Sequence, residues 1–113
     1  METMTLDDLR AYGANVDEGL GRCMGNEEFY LRLVGMVKED AGFAALEQAI
    51  AANDLKAGFE AAHALKGVLA NLAITPILEP VMEITELLRA GTEMDYSELL
   101  AKILEEKEKL CAL

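Results

Sequence analysis

His63 is the only histidine in a chain of 113 residues, and it stands in the stretch AAHALKGVLANLA, Ala61 to Ala73. Lys66 and Gly67 follow it at i+3 and i+4, one helical turn away if the stretch is a helix. Neutral imidazole is a nucleophile near pH 7, the one common side chain that changes charge in that range. A phosphoryl group carried on it would bring close to two negative charges, which an ammonium one turn away could offset. Gly67 is a costly residue inside a helix, about 1 kcal/mol worse than alanine, so its place beside the histidine asks for a reason. Clearance for an approaching surface is one. The three residues read as a nucleophile, a counter-charge and a gap.

Other chemistry finds less support. Glu60-Ala61-Ala62-His63 is a Glu-x-x-His pair of the kind found in di-iron helical bundles, but such sites need two pairs and two further glutamates turned into the core. A zinc site would need ordered Cys/His spacing. Ser97 is the only serine, and no nucleophile-elbow pattern surrounds it. No glycine-rich phosphate loop is present, so ATP binding is not indicated.

The helix that carries His63 is predicted to begin at an Asp54 N-cap and to end near Ala73. At about 100° per residue, Leu55, Ala62, Leu65, Leu69 and Leu72 gather on one side as a core-facing stripe. His63 falls off that stripe. Its neighbours on the same face are Phe59, Glu60, Lys66, Gly67 and Ala70. The imidazole is therefore predicted to face solvent, beside a low apron of Gly67 and Ala70. Glu60, a water or a group from a neighbouring helix could each hold the second ring nitrogen.

The rest of the chain supplies helices to position this one. Thr5 caps a short helix that stops at Gly13, and Asn15 with Glu18 forms a capping box for another. Asn26 opens a longer helix with Phe29, Leu33, Val34 and Val37 at helical spacing. A further stretch from Gly42 places Phe43, Leu46 and Ile50 on one face, with a bend expected near Ala41–Gly42. Thr75 as cap and Pro76 at the first position start the next helix. Pro80 is expected to loosen its first turn, and Gly91 to end it. A last helix begins at Asp95. No strand-like alternation or long repeat is present. The fold class is all-α: an antiparallel four-helix bundle with short additional N-terminal helices, one domain over residues 1–113. The short helices should cover one end or side.

Composition bounds the function. Apolar residues make up 52% of the chain, enough for one well-filled core. Against 10 basic residues stand 21 acidic ones, a formal charge of −11, which repels nucleic-acid backbones and anionic lipid surfaces. The charge suits a solvated surface or a partner with a basic patch. METMTLDDLR lacks the apolar core of a signal peptide, and no run is long enough to span a membrane. Cys23 and Cys111 have no CxxC spacing and read as free thiols in a reducing cytoplasm.

The stretch His63-Ala64-Leu65-Lys66-Gly67, followed by Ala70-Asn71-Leu72, resembles the His-x-Leu-Lys-Gly signature of histidine-containing phosphotransfer (HPt) domains. YGANVDEGLGRCMGNEEFYLRLV is similar to the N-terminal portion common in bacterial members, and Asn53-Asp54 precedes the helix in the same way. The likeness runs from about Leu9 to Gly91. It implies a helical bundle that passes a phosphoryl group between receiver domains of a phosphorelay. His63 matches the phospho-acceptor, Lys66 the lysine that steadies the phosphoryl group, and Gly67 the glycine that lets a receiver dock; Phe59, Glu60 and Ala70 complete the docking face. Such a protein is a carrier, not an enzyme. It binds no cofactor of its own, and the receiver brings the magnesium. Its expected partners are response-regulator receivers and a hybrid sensor kinase, met by a cytoplasmic monomer. One departure is Ala73, where many members have glycine, so the turn there is expected to differ while the reactive face is kept. The alternative is a helical interaction module that binds a receiver or kinase without phosphoryl chemistry.

Overall fold

A computed structural model, describing residues 4–113, gives seven helices and no strand among the described residues. They are α1 (Leu6–Tyr12), α2 (Val16–Arg22), α3 (Glu27–Val37), α4 (Gly42–Ala51), α5 (Leu55–Leu72), α6 (Thr75–Arg89) and α7 (Ser97–Cys111). Short polar residues set most of the starts. Thr5 accepts from the Asp8 amide while the Asp8 carboxylate accepts from the Thr5 amide, which satisfies two otherwise unpaired donors. Asn15, Asn26 and Asp54 cap α2, α3 and α5 through their side-chain oxygens.

Two starts differ from expectation by a residue or two. Ile74, not Thr75, occupies the cap position of α6, and the Thr75 hydroxyl donates back to the Ala73 carbonyl at 3.4 Å. Ile74 is fully buried, so packing rather than capping chemistry sets this boundary. At α7 the cap position belongs to the buried Tyr96. Asp95 lies one residue outside, accepting from the Ser97 amide at 2.9 Å and the Ser97 hydroxyl at 2.6 Å. The expected bend near Ala41–Gly42 is a full break between α3 and α4, where the Asp40 carboxylate accepts from the Gly42 amide at 2.7 Å. Helix α6 runs through Pro80 without interruption, its ring buried with Ile77, Val81 and Ile84. Burial there holds the turn that the missing N–H was expected to loosen.

The successive helices α4 to α7 pack each against the next, so the chain runs up and down as a bundle. One apolar core links all seven helices. Helix α5 is its hub. Its stripe of Ala62, Leu65, Leu69 and Leu72 is buried, with Leu55 half-buried at the start. Ile77, Val81, Ile84 and Leu88 face it from α6, and Phe43 and Leu46 from α4.

Helices α2 and α3 cover the C-terminal end of α5, while α1 packs against α2 and α7. The last carbonyls of a helix lack intrahelical donors, and here other helices provide them. The Arg22 guanidinium donates to Ala70 at 2.9 Å, the Tyr30 hydroxyl to Leu72 at 3.0 Å, and the Asn15 amide to Ala73 at 2.9 Å. Gly19 permits this approach, since a Cβ there would collide with the Leu72 carbonyl and the Tyr30 ring. Ala73 itself adopts the left-handed conformation (φ 55°, ψ 43°). The turn is therefore the one glycine would make, contrary to the expectation that alanine alters it. Its cost of about 1 kcal/mol or more is met by the hydrogen bonds from Ile74 to Leu69 and from Asn15 to Ala73. Both cysteines are free thiols, Cys23 buried and Cys111 exposed.

Candidate functional site

Helix α5 presents His63 to solvent, on the side away from its buried stripe. The helix is fixed at both ends, by the Asp54 cap and by the donors on its last carbonyls. The register of the histidine face is therefore set by the whole bundle.

Among the described residues no hydrogen bond reaches the imidazole, and Glu60, exposed one turn earlier, does not approach it as a partner. Instead the ring stacks on Phe59, centroid to centroid 5.4 Å with 21° between planes. Phe59 is half-buried and packs against the core. On the same phenyl ring lies the Arg89 guanidinium from α6, 5.2 Å from the centroid. Arg89 also pairs with Glu86 at 3.2 Å.

Lys66 is half-exposed one turn beyond the histidine and has no ion-pair partner among the described residues. Gly67 is exposed, and a Cβ built on it meets nothing within 4 Å. No packing among the described residues requires that glycine. Ala70 is half-buried, its carbonyl engaged by Arg22. Phe59, Glu60, His63, Lys66, Gly67 and Ala70 thus share one flank of α5, with Phe59 and Ala70 partly sunk into it.

Beside Gly67 opens a groove of about 850 Å³ between α5 and the end of α3. Leu33, Met36 and Val37 line it from α3 and Val68 and Asn71 from α5, with Asp40 from the connection after α3. Met36 is 62% exposed and Val68 39%. Sequence reasoning missed this groove, although a signal was present: Val68 is apolar yet lies off the buried stripe. It also missed Arg89, for which no local signal exists, because only the pairing of α6 with α5 brings it over Phe59.

The groups whose titration the fold displaces belong to the frame. Burial pushes the Tyr12 and Tyr30 hydroxyls up, with the Glu106 charge adding to the effect at Tyr12. At Glu106 burial acts upward, but hydrogen bonds and charge from Lys102 and Lys109 together hold the carboxylate below its ordinary range. Among the described residues no group of three or more His, Cys, Asp or Glu is placed to hold a metal ion, and no helix is long and apolar enough to cross a membrane.

The described residues form a helical bundle with the chain's single histidine on an open face of α5. The family model described as Hpt domain matches residues 34–112, more than half of the chain, and the chain belongs to the Hpt domain family. Hpt domains serve histidine phosphotransfer in two-component signalling as phosphocarriers, and they interact with response-regulator receivers and kinases. No curated protein and no solved structure matches the chain. The matched region begins within α3, so α1 and α2 lie before it, α2 among them closing the end of α5.

Proposed function

We propose that this protein is a phosphorelay carrier in which His63 accepts a phosphoryl group from one receiver aspartate and donates it to another. The observation that carries the reading is the open flank of α5: an exposed imidazole with, one turn away, an ammonium unpaired among the described residues and a position without a side chain.

In the forward step the Nε2 lone pair of neutral His63 attacks the phosphorus of an aspartyl phosphate in line. The Nε2–P bond forms as the aspartyl O–P bond breaks. That bond's electron pair returns to the receiver carboxylate, and the proton on Nδ1 stays on the ring. Lys66 offsets the charge that arrives on this face. The receiver supplies the magnesium. The return step onto a second receiver reverses the same bonds. Catalysis in such a transfer is largely positioning and charge neutralisation, so an open face suffices where an enzyme would need a closed pocket. The groove of Met36, Val37 and Val68 beside Gly67 gives a receiver apolar surface to settle on, and Phe59, Glu60 and Ala70 continue the docking face along the flank of α5. The reading places the protein in the cytoplasm as a monomer.

The test is phosphoryl transfer from a phosphorylated receiver to purified protein. Wild type should acquire an acid-labile label, and His63→Gln should acquire none while its circular dichroism stays helical. Labelling retained in the variant would refute the assignment. A wild-type protein that binds the receiver but never takes the label would instead be a phosphorylation-independent interaction module.

A further inference from the structure

An exposed histidine ordinarily turns freely about its side-chain bonds, and a freely turning ring is a poor in-line nucleophile. His63 has no hydrogen bond among the described residues to stop it, yet three side chains from two helices form a connected set at this point. Phe59 stacks on the imidazole, Arg89 stacks on Phe59, and Glu86 holds Arg89 at 3.2 Å. We propose that Phe59 is the positioning residue for the His63 ring in phosphoryl transfer, and that Arg89 acts through it by clamping the phenyl ring. This rests on the reading of His63 as the acceptor and adds how the acceptor is aimed.

The geometry fits the role. Phe59 lies one turn before His63, the spacing at which two ring side chains on a helix meet. A 21° interplanar angle at 5.4 Å is within the range of favourable aromatic pairs, and it limits rotation of the imidazole about its Cβ–Cγ bond. Phe59 is only half-buried, and the Arg89 guanidinium lies over its ring at a cation–π distance. Arg89 comes from α6, whose position is fixed by the buried contacts of Ile77, Val81, Ile84 and Leu88. The ring's attitude is thereby tied to the pairing of α5 with α6. Charge is also divided: Arg89 is engaged by Phe59 and Glu86, while Lys66 is left for the phosphoryl group.

The single histidine makes the test direct. The ring protons of His63 are read by NMR with no phosphoryl donor present. Rates are then read with a phosphorylated receiver and with phosphoramidate, a small donor that needs no docking surface. Phe59→Leu should move the ring protons downfield as the phenyl ring current is lost. It should lower kcat with both donors by about two- to tenfold, the range that the strength of an aromatic pair allows, and the loss with phosphoramidate separates aiming of the ring from Phe59's place on the docking face. Phe59→Tyr should restore both readouts. Arg89→Gln, at an exposed residue, should move the same protons and rates in the same direction by less. Unmoved ring protons in Phe59→Leu, or a raised KM at unchanged kcat, would overturn the positioning role. Slower transfer in Arg89→Gln with the ring protons in place would overturn the clamp. If wild type takes no label from either donor, the acceptor reading fails, and the ring protons still decide whether the stack exists.

Discussion

Gly67 shows most directly how one position divides stability from function. A helix interior normally penalises glycine by about 1 kcal/mol against alanine, and nothing among the described residues needs the space, since an added Cβ meets no atom within 4 Å. Gly67→Gln should therefore raise stability, by about 0.5 kcal/mol in thermal unfolding. The same side chain would stand beside His63 at the mouth of the groove, so receiver affinity measured by titration calorimetry should fall. Weaker unfolding stability with unchanged affinity would show that the glycine serves the bundle instead. Gly19 is the opposite case, a glycine whose absent side chain lets α2 approach the end of α5.

At the scale of the element, α5 is a helix whose end is finished by other helices. Its final carbonyls receive donors from Arg22, Tyr30 and Asn15, and its last turn closes through Ala73 in a left-handed conformation. Glycine takes that conformation without steric cost, while an L residue with a Cβ does not. Ala73→Gly should stabilise the protein by about 1 kcal/mol, read as a rise in thermal midpoint, with the transfer rate at His63 unchanged because the reactive face lies nearly three turns away. A lower midpoint would mean that the buried alanine methyl matters more than the backbone strain.

At the scale of the whole molecule, one titration dependence lies where α7 packs on the bundle. Glu106 on α7 is buried and accepts from Lys102 at 3.1 Å and Lys109 at 3.2 Å, while the Tyr12 hydroxyl of α1 donates to its backbone carbonyl at 2.8 Å. Despite burial, the two lysines hold its pKa below the ordinary 4.5. A depressed carboxylate stabilises the fold at pH above that ordinary value and loses its contribution as pH falls through the lower folded value. Glu106→Gln should cost about 1 kcal/mol at pH 7, reduced from a fully buried charged pair because both lysines are half in water. As pH falls below 4.5 and through the lower folded value, the variant and wild type should converge in denaturant unfolding. A gap that persists in acid would assign the loss to packing.

Much of this protein was legible in its sequence because helices are local objects. The periodicity of Ala62, Leu65, Leu69 and Leu72 turned His63 outward before any neighbour was known, and short polar caps such as Thr5, Asn26 and Asp54 marked the starts. Where a buried residue took over the boundary, as at Ile74 and Tyr96, local chemistry misplaced it by a residue or two. What the sequence could not determine lies between helices: the groove of Met36 against Val68, the donors that finish α5, and Arg89 over Phe59. Those depend on which side chains two distant segments bring within a few ångströms of each other. Only the packing of the core decides that.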